Sequence, residues 1–306
     1  MVHSSAPKLV SILINSYNYG RFLPDAIESA IAQTYPHCEV IVVDDGSTDG
    51  SLDIIASYGD RIIPILKGNG GQASAFNAGF EQSRGDIVCF LDADDTFATH
   101  KTEQLVEIFN GQPAAGWCFH PIKRVDEHLK PMEGDKGYRG EEGFYDLRSL
   151  MQKGKLGDAT PFDCLVTSGM CFTREMLNRL LPMPTDIKIT SDDYLKYAAM
   201  GTHPGYMLLE KLACQRLHGN NAYTGRDEKR ALQGKILLQT AYFLKRDFPS
   251  IGAFADNLYS LGLAKLDKQP PDDSLMSLMQ RYTQVLPPWT ALKIGAKKTY
   301  YQYRLR

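Results

Sequence analysis

Short apolar runs alternate with amphipathic helical patterns in the N-terminal part of the chain, and this alternation constrains the fold more than any other feature. Four apolar runs rich in β-branched residues lie at 9–14, 39–45, 61–66 and 86–95. Helical apolar spacing separates them over 21–34, 49–58 and 72–83. Continuous runs of this kind are typical of parallel strands buried on both faces, joined by right-handed crossovers. The sequence therefore predicts an α/β fold with a mostly parallel sheet flanked by helices.

The rest of the chain adds strands and then helices. Pro64 cannot donate a ladder hydrogen bond, so the third run is predicted to be an edge or irregular strand. Further strands are predicted within 116–126 and 165–174. After residue 226, apolar spacing predicts a C-terminal helical extension with helices at about 228–246, 250–266 and 273–284.

Composition excludes several classes of function. The 306 residues can bury a large core, and the formal net charge of −2 makes nucleic acid an unexpected partner. The six cysteines form no C-x-x-C pair, which favours a reducing compartment and no zinc site. The N-terminal segment lacks the apolar region of a signal peptide, and no run approaches about 20 apolar residues. We therefore expect a cytoplasmic protein.

Three carboxylates follow the fourth apolar run, in the segment FLDADD. Asp92, Asp94 and Asp95 can cap a helix, bind a divalent cation or remain solvated. A cap accounts for Asp95 alone, and like charges packed this closely require a counter-charge. Mg²⁺ typically takes one or two carboxylates together with substrate phosphate oxygens, so the cluster indicates a phosphorylated substrate. The chain lacks a P-loop motif, and KGNGGQ at 67–72 does not fit the dinucleotide-binding motif.

The ordered blocks NSYNYGRF, VVDDGSTDGS, GNGGQASAFNAGF and FLDADD together resemble the family-2 inverting glycosyltransferases, which have the GT-A fold. The resemblance covers residues 8 to about 110 closely and extends more loosely to about 220. It implies a glycosyltransferase domain over 1–222, divided into a nucleotide-sugar-binding half (1–110) and an acceptor half (111–222). Residues 223–306 form the helical extension.

The resemblance also implies roles for individual residues of the donor site. Asn15 and Tyr17 would line the base pocket, although Tyr17 is alternatively an aromatic residue that closes the loop. Asp45 would accept the N3–H of a uracil or thymine ring, while Asp44 would stabilise the turn. Small and amide residues would then admit the sugar nucleotide close to the backbone, namely Asn69, Gly71 and Asn77.

One position departs from the family pattern. Relatives often carry Arg immediately before the second Asn, and this chain has Phe76. One cationic contact to the nucleotide is therefore missing, and the candidates to replace it are Lys67, Arg84 and Arg216.

The acidic segment matches the Asp-x-Asp element of the family. Asp92, Ala93 and Asp94 would contact the donor diphosphate through Mg²⁺ or Mn²⁺, with Asp94 and Asp95 as candidate metal ligands. A flexible segment over 214–224 would fold over the diphosphate, with Arg216 on phosphate oxygens and His218 on the metal or a phosphate. The alternative for His218 is a structural role.

An inverting displacement needs a carboxylate that takes the proton of the acceptor hydroxyl. The segment ITSDDYL supplies Asp192 in the register of the family's base, with Ser191 in place of a Glu. Asp193 is the rival, and either side chain is alternatively a helix N-terminal carboxylate stabilised by the helix dipole.

The resulting hypothesis is transfer from a UDP- or dTDP-sugar to a saccharide or lipid-linked acceptor, in polysaccharide or glycoconjugate synthesis. The alternatives are a sugar-phosphate nucleotidyltransferase and a non-catalytic protein that binds sugar nucleotides. The basic aromatic tail from Lys293 to Arg306 suggests peripheral contact with the inner face of the membrane, or a solvated helix. The C-terminal helices alternatively mediate a homodimer.

Overall fold

The computed structural model describes residues 6–132, 138–156, 160–162, 166–188, 190–219, 221, 229–266, 270–284 and 286–304, with the side chain of Lys229 excepted. The strands are β1 (Val10–Ser16), β2 (Cys38–Asp44), β3 (Ile63–Leu66), β4 (Ile87–Asp92), β5 (Thr96–Phe97), β6 (Trp117–Phe119), β7 (Lys123–Val125), β8 (Gly143–Tyr145), β9 (Met170–Thr173), β10 (Gly205–Met207) and β11 (Ala213–Arg216). The helices are α1 (Leu23–Ile31), α2 (Ser51–Ser57), α3 (Gln72–Gln82), α4 (Lys101–Gly111), α5 (Arg148–Gln152), α6 (Arg174–Leu180), α7 (Ser191–Thr202), α8 (Lys229–Asp247), α9 (Gly252–Leu266), α10 (Asp273–Gln284) and α11 (Pro288–Arg304).

Contacts divide the chain into two compact units. The first comprises Met1–Asp146, Phe162–Lys188 and His203–His218, and it contains all the strands of the described residues. The second comprises Leu147–Pro161, Ile189–Thr202 and Gly219–Arg306, and it is helical where described. The boundary at 218–219 lies near the predicted one at 222, while two earlier segments join the second unit. The predicted domain boundaries stay a prediction.

The first unit is built on a mixed sheet in the strand order β3-β2-β1-β4-β9-β6-β10-β8. Strands β3, β2, β1 and β4 are parallel, as predicted, and β9 runs antiparallel between β4 and β6. Side chains on both faces of β1 are fully buried, which explains why its residues from Val10 to Ile14 are apolar except for Ser11. The α/β expectation is confirmed, and β3, which contains Pro64, is the edge strand.

Several predicted elements have different bounds in the structure. The helix predicted over 21–34 begins at Leu23, with Pro24 in its first turn, and ends at Ile31. Proline is favoured there because the first helical N–H groups have no intrahelical partner. The strands predicted within 116–126 belong to two sheets, because β6 joins the large sheet and β7 joins a small sheet ordered β5-β11-β7.

The second unit is held together by close helix packing. Helices α8 and α9 approach at Gly234 and Gly262, where an added Cβ would meet the opposite backbone oxygen at 2.9 or 3.0 Å. Tyr259 and Tyr282 stack with ring centroids 3.9 Å apart, and the Tyr282 hydroxyl donates to Asp256 at 2.7 Å. Among the described residues, no helix is long and apolar enough to span a bilayer.

Candidate donor-binding site

The carboxyl ends of three parallel strands bring together residues that are distant in the chain. The register of β1 with β2 pairs Ser16 with Asp44, and the register of β1 with β4 pairs Asn15 with Asp92. Ligands of open α/β sheets bind at this edge, where the chain segments that follow adjacent strands pass to opposite faces of the sheet and leave a crevice.

Unpaired polar atoms mark this edge. Both side-chain polar atoms of Asn15 are buried without a hydrogen-bond partner in the described part of the chain, as are Ser16 Oγ and Asp44 Oδ1. Each unpaired buried group costs about 1–3 kcal/mol, so such a cluster fits a polar ligand that supplies the partners. Tyr17 follows directly and is 47% exposed, as a residue that covers a ligand would be.

Asp45 and Asp44 organise the loops at the ends of β2 and β3. The Asp45 carboxylate accepts from Lys67 Nζ at 2.5 Å and from the backbone N–H of Gly71 at 2.7 Å. The backbone N–H of Gly70 lies 3.0 and 3.1 Å from its two oxygens. Asp44 Oδ2 accepts from the N–H groups of residues 46 and 47, which matches the turn-stabilising role expected for it. The contact of Asp45 with a pyrimidine ring stays a prediction.

The turn before α3 requires glycine at position 71. Gly71 has φ of +86°, and an added Cβ would lie 2.9 Å from Lys188 Cα. The N–H of Gln72 donates to Lys188 O, and Lys188 Nζ donates to Gly70 O at 3.0 Å. Asn69 is exposed beside this turn, where a polar ligand can reach its amide.

Two neighbours on α3 serve the packing of the first unit. The Asn77 amide donates to Met183 O at 2.9 Å and accepts from Met183 N–H at 2.7 Å, so it holds a distant loop. Phe76 is fully buried against Phe90, with ring centroids 4.4 Å apart.

The three cations proposed to replace the missing arginine all have acidic partners: Lys67 with Asp45, Arg84 with Glu39, and Arg216 with Asp25.

The acidic segment divides into carboxylates with different partners. Asp95 is buried and accepts from the Ser168 hydroxyl at 2.6 Å and from Arg216 N–H at 3.0 Å. Burial, with the neighbouring charge of Asp94, raises the pKa of Asp95 to about 8. Asp92 is half-buried at the end of β4, followed by the buried Ala93.

Asp94 is paired with the predicted histidine. Its Oδ2 lies 3.1 Å from His218 Nε2, and the imidazole packs against the rings of Tyr19 and Phe22, with centroids 5.8 and 4.4 Å away. A carboxylate oxygen and an imidazole nitrogen at about this separation can bind one divalent ion together. No group of three His, Cys, Asp or Glu side chains is arranged to hold a metal within the described ranges. Asp94 and His218 therefore fit an ion that takes its remaining ligands from a bound diphosphate.

Arg216 has several protein partners. Its Nε donates to Asp94 O, and its two terminal nitrogens donate to Glu127 O and to Asp25 Oδ2. The guanidinium carbon lies 4.8 Å from the Phe22 ring centroid. The contact of Arg216 with phosphate stays a prediction. In the predicted closing segment, residues 220 and 222–224 lie outside the described residues.

The sequence interpretation missed the side chains that support Asp92 and Asp95. Ser168 bonds both Asp95 and the backbone N–H of Asp92, and Lys101, fully buried, donates to Ser168 O at 2.8 Å. Lys101 is the first residue of α4, where its positive charge is unfavourable next to the positive end of the helix dipole. A lysine at a predicted helix N-terminus is therefore a pattern that could have indicated a special role for Lys101. Ser168 carries no comparable signal.

The candidate bases lie in the second unit, at the start of α7. Asp192 has one buried oxygen, Oδ1, without a partner among the described residues. Burial, with the adjacent Asp193, raises the pKa of Asp192 to about 6. Asp193 instead pairs with the buried Lys196 at 2.5 Å. Asp192 therefore has the environment of a proton acceptor more than Asp193 has.

Comparisons with known proteins agree with these features. The model of the glycosyl transferase family 2 matches residues 11–172. An uncharacterised glycosyltransferase of Nostoc is 37% identical over 218 residues, which are 69% of this chain and 66% of that protein. The putative teichuronic acid biosynthesis glycosyltransferase TuaG of Bacillus subtilis is 41% identical over 103 residues, 31% of this chain and 40% of its own. The chain thus spans less than two thirds of these curated relatives.

Solved structures share the fold at low sequence identity. S. aureus TarS, residues 1–349, has a TM-score of 0.65 at 14% identity and covers 96% of this chain and 89% of its own. The mannosyltransferase PcManGT of Pyrobaculum calidifontis has a TM-score of 0.57 at 19% identity, covering 97% of this chain and 84% of its own. The predicted GT-A fold is confirmed, with a mixed sheet in place of the mostly parallel one that was predicted.

Proposed function

Because the chain belongs to glycosyl transferase family 2, we propose that it transfers a sugar from a UDP- or dTDP-sugar to an acceptor hydroxyl with inversion. The observation that carries this proposal is the Asp94–His218 pair in the unit whose strand ends present unpaired polar atoms. Structures of TarS with UDP and with UDP-GlcNAc, and of PcManGT with GDP-Man and Mn²⁺, support a nucleotide-sugar donor and a divalent ion.

Donor binding would use residues of the first unit. Asn15 and Tyr17 would contact the base, and Asp45 would accept the ring N3–H, with its oxygens oriented by Gly70 and Gly71. Asn69 and Asp92 would lie along the ribose and diphosphate, with the small Gly71 and Ala93 leaving room for them. Asn77 was predicted to line the donor site, but both polar atoms of its amide bond Met183, so we assign it the role of holding that loop. Arg216 would act by holding the Asp94 backbone in place.

Asp94 and His218 would hold Mg²⁺ or Mn²⁺, with Asp95 as a further candidate ligand. The ion would neutralise charge on the diphosphate leaving group. Asp95 has both oxygens engaged by Ser168 and Arg216. We therefore assign Asp95 the role of fixing the loop that presents Asp94.

Asp192 would take the proton of the acceptor hydroxyl. A carboxylate with a pKa of about 6 is deprotonated at neutral pH and is a stronger base than an ordinary aspartate. Asp193 fits this role less well, because Lys196 Nζ already occupies one of its carboxylate oxygens. The acceptor would be a saccharide or a lipid-linked saccharide, which agrees with the polysaccharide named for TuaG. Homodimer formation and a cytoplasmic location stay predictions.

A non-catalytic protein that binds sugar nucleotides is the second candidate. It is favoured by Phe76, a buried core residue where relatives often carry arginine. Net release of free UDP from UDP-sugar in the presence of Mn²⁺ would separate the two, because a binding protein releases none.

The first test is calorimetric titration of UDP, dTDP, GDP and ADP with and without Mn²⁺. We expect UDP or dTDP to bind only with the metal, and Asp94→Asn to weaken binding by at least tenfold. Asp53→Asn, at an exposed position on α2, is the matched control and should bind as the parent chain does. If no nucleotide binds under any condition, the donor-site assignment fails.

A further inference from the structure

One face of α11 is aromatic and apolar, yet open to solvent. Trp289, Leu292, Tyr300 and Tyr303 are 67%, 68%, 56% and 80% exposed. At about 100° per residue they fall within one side of the helix. Contiguous exposed apolar groups of this kind mark interaction surfaces. We call these four side chains the outer face of α11.

The opposite side of α11 is fixed to the second unit. Tyr301 packs with Leu261 and Ala264 of α9, and Ile294 is buried. Lys297 Nζ donates to Asn257 Oδ1 of α9. The outer face is therefore presented by a helix whose inward side is packed.

The outer face lies in a basic segment of the chain. Residues 286–306 contain five basic residues and no acidic ones: Lys293, Lys297, Lys298, Arg304 and Arg306. Lys293 Nζ lies 5.7 Å from the Trp289 ring centroid, and the Arg304 guanidinium carbon lies 5.9 Å from that of Tyr300. Beside the helix, a cavity of about 210 Å³ is lined by Lys153 in addition to Lys293 and Lys297, together with the single carboxylate of Asp256.

We propose that the second unit binds the surface of an anionic phospholipid bilayer through the outer face of α11. Tryptophan and tyrosine favour the boundary between headgroups and acyl chains, and flanking lysine and arginine pair with lipid phosphates. A second copy of the chain is the competing occupant. Two such helices would bring their positive charges together, whereas an anionic bilayer neutralises them. This binding is independent of glycosyl transfer.

Tryptophan fluorescence of the full chain tests the proposal directly. The chain has two tryptophans, and Trp117 is fully buried, so changes of exposure report on Trp289. With vesicles of phosphatidylcholine and phosphatidylglycerol, we expect a blue shift and quenching by brominated lipid. Vesicles of phosphatidylcholine alone should produce much smaller changes. An unchanged spectrum with anionic vesicles overturns the proposal.

Point variants distinguish binding through the outer face from non-specific attraction of positively charged side chains to the lipid. Leu292→Ser with Tyr303→Ser should abolish co-sedimentation with anionic vesicles, and Lys293→Glu with Arg304→Glu should weaken it by at least about thirtyfold. The matched control, Lys123→Glu with Lys130→Glu, changes two exposed lysines of the first unit and should leave binding intact. Far-ultraviolet circular dichroism of each variant verifies that it is folded.

Sedimentation velocity without lipid tests the competing occupant, a second copy of the chain. A dimer that Leu292→Ser with Tyr303→Ser dissociates would assign the outer face to a second copy and overturn the membrane proposal. A monomer that binds anionic vesicles supports it. Vesicle binding requires neither donor nor acceptor, so its failure would leave the proposed transfer reaction untouched.

Discussion

Asp94 and Asp95 are neighbours in the chain, but their carboxylates meet different surroundings. Asp95 is enclosed by Ser168 and the backbone of Arg216, and burial raises its pKa to about 8. Asp94 keeps one oxygen near the His218 ring. At the residue scale, partners rather than residue type decide which carboxylate can bind an ion and which supports the loop.

Substitution of Asp192 tests the proposed base. We expect Asp192→Asn to lower kcat by about 10²–10⁴-fold with little change in UDP binding, because the amide cannot take a proton. Since the base acts when deprotonated, the parent rate should rise with pH, reach half of its maximum near pH 6 and level about one pH unit higher. Initial rates of UDP release across this range provide the measurement.

Asp193→Asn is the matched comparison for Asp192. It removes the 2.5 Å ion pair with buried Lys196, so it should lower the unfolding temperature and keep most of kcat. A larger loss of kcat in Asp193→Asn than in Asp192→Asn would reverse the assignment of the base.

Position 76 tests whether the missing arginine can be restored. We expect Phe76→Arg to lower the free energy of unfolding by several kcal/mol, because the side chain is fully buried and would carry an unpaired charge into the core. Phe76→Leu should cost about 1–2 kcal/mol, as a conservative change of shape. Urea unfolding measures both variants. A folded Phe76→Arg with tighter UDP binding would contradict the core role.

At the element scale, the turn into α3 positions both the helix and the Asp45 carboxylate. The N–H groups of Gly70 and Gly71 bond Asp45, while the N–H of Gln72 bonds Lys188 O. A positive φ at Gly71 aims these donors in different directions. The turn therefore couples the backbone before α3 to Asp45, the carboxylate predicted to bind the nucleobase.

Gly71→Ala should disturb this turn. The positive φ and the 2.9 Å approach to Lys188 predict a loss of about 1–3 kcal/mol in unfolding free energy and weaker UDP binding. Gly68→Ala is the control, because an added Cβ there meets nothing within 4 Å. Thermal unfolding and calorimetry of the two variants give the comparison. Equal behaviour would show that the turn tolerates a side chain.

On the scale of the whole molecule, the centre of the large sheet carries three cysteines on neighbouring strands. Cys171 of β9 lies opposite Cys89 of β4 and Cys118 of β6, and all three are fully buried. All cysteines of the described residues are free, and Cys164 lies outside those residues. Burial in the core therefore protects these thiols as long as the sheet is intact.

Thiol labelling should therefore report global unfolding. We expect Cys89, Cys118 and Cys171 to react with iodoacetamide only at the unfolding rate of the first unit, whereas half-buried Cys38 reacts faster. Mass spectrometry of peptides from a labelling time course gives the rates. Fast labelling of Cys171 under native conditions would show that the sheet opens locally.

The sequence by itself determined the alternation of strands and helices over residues 9–95 and the family. Nearly continuous β-branched runs are typical of strands buried on both faces, so β1, β2 and β4 were predictable as parallel strands of one sheet, and the acidic tips followed from their ends. Their adjacency was not predictable, because it depends on the path of the crossovers. Element ends were less predictable, because Pro24 and the packing of each terminus decide them.

Only the tertiary structure decided how the side chains at those ends are used. Nothing in the local pattern indicates that Ser168 bonds Asp95, that Asn77 holds Met183, or that Arg216 reaches Asp25. Each partner lies far away in the chain, and its position follows from the packing of whole elements. Hydrogen bonding and burial therefore fixed these roles, while residue type and spacing supplied the candidates.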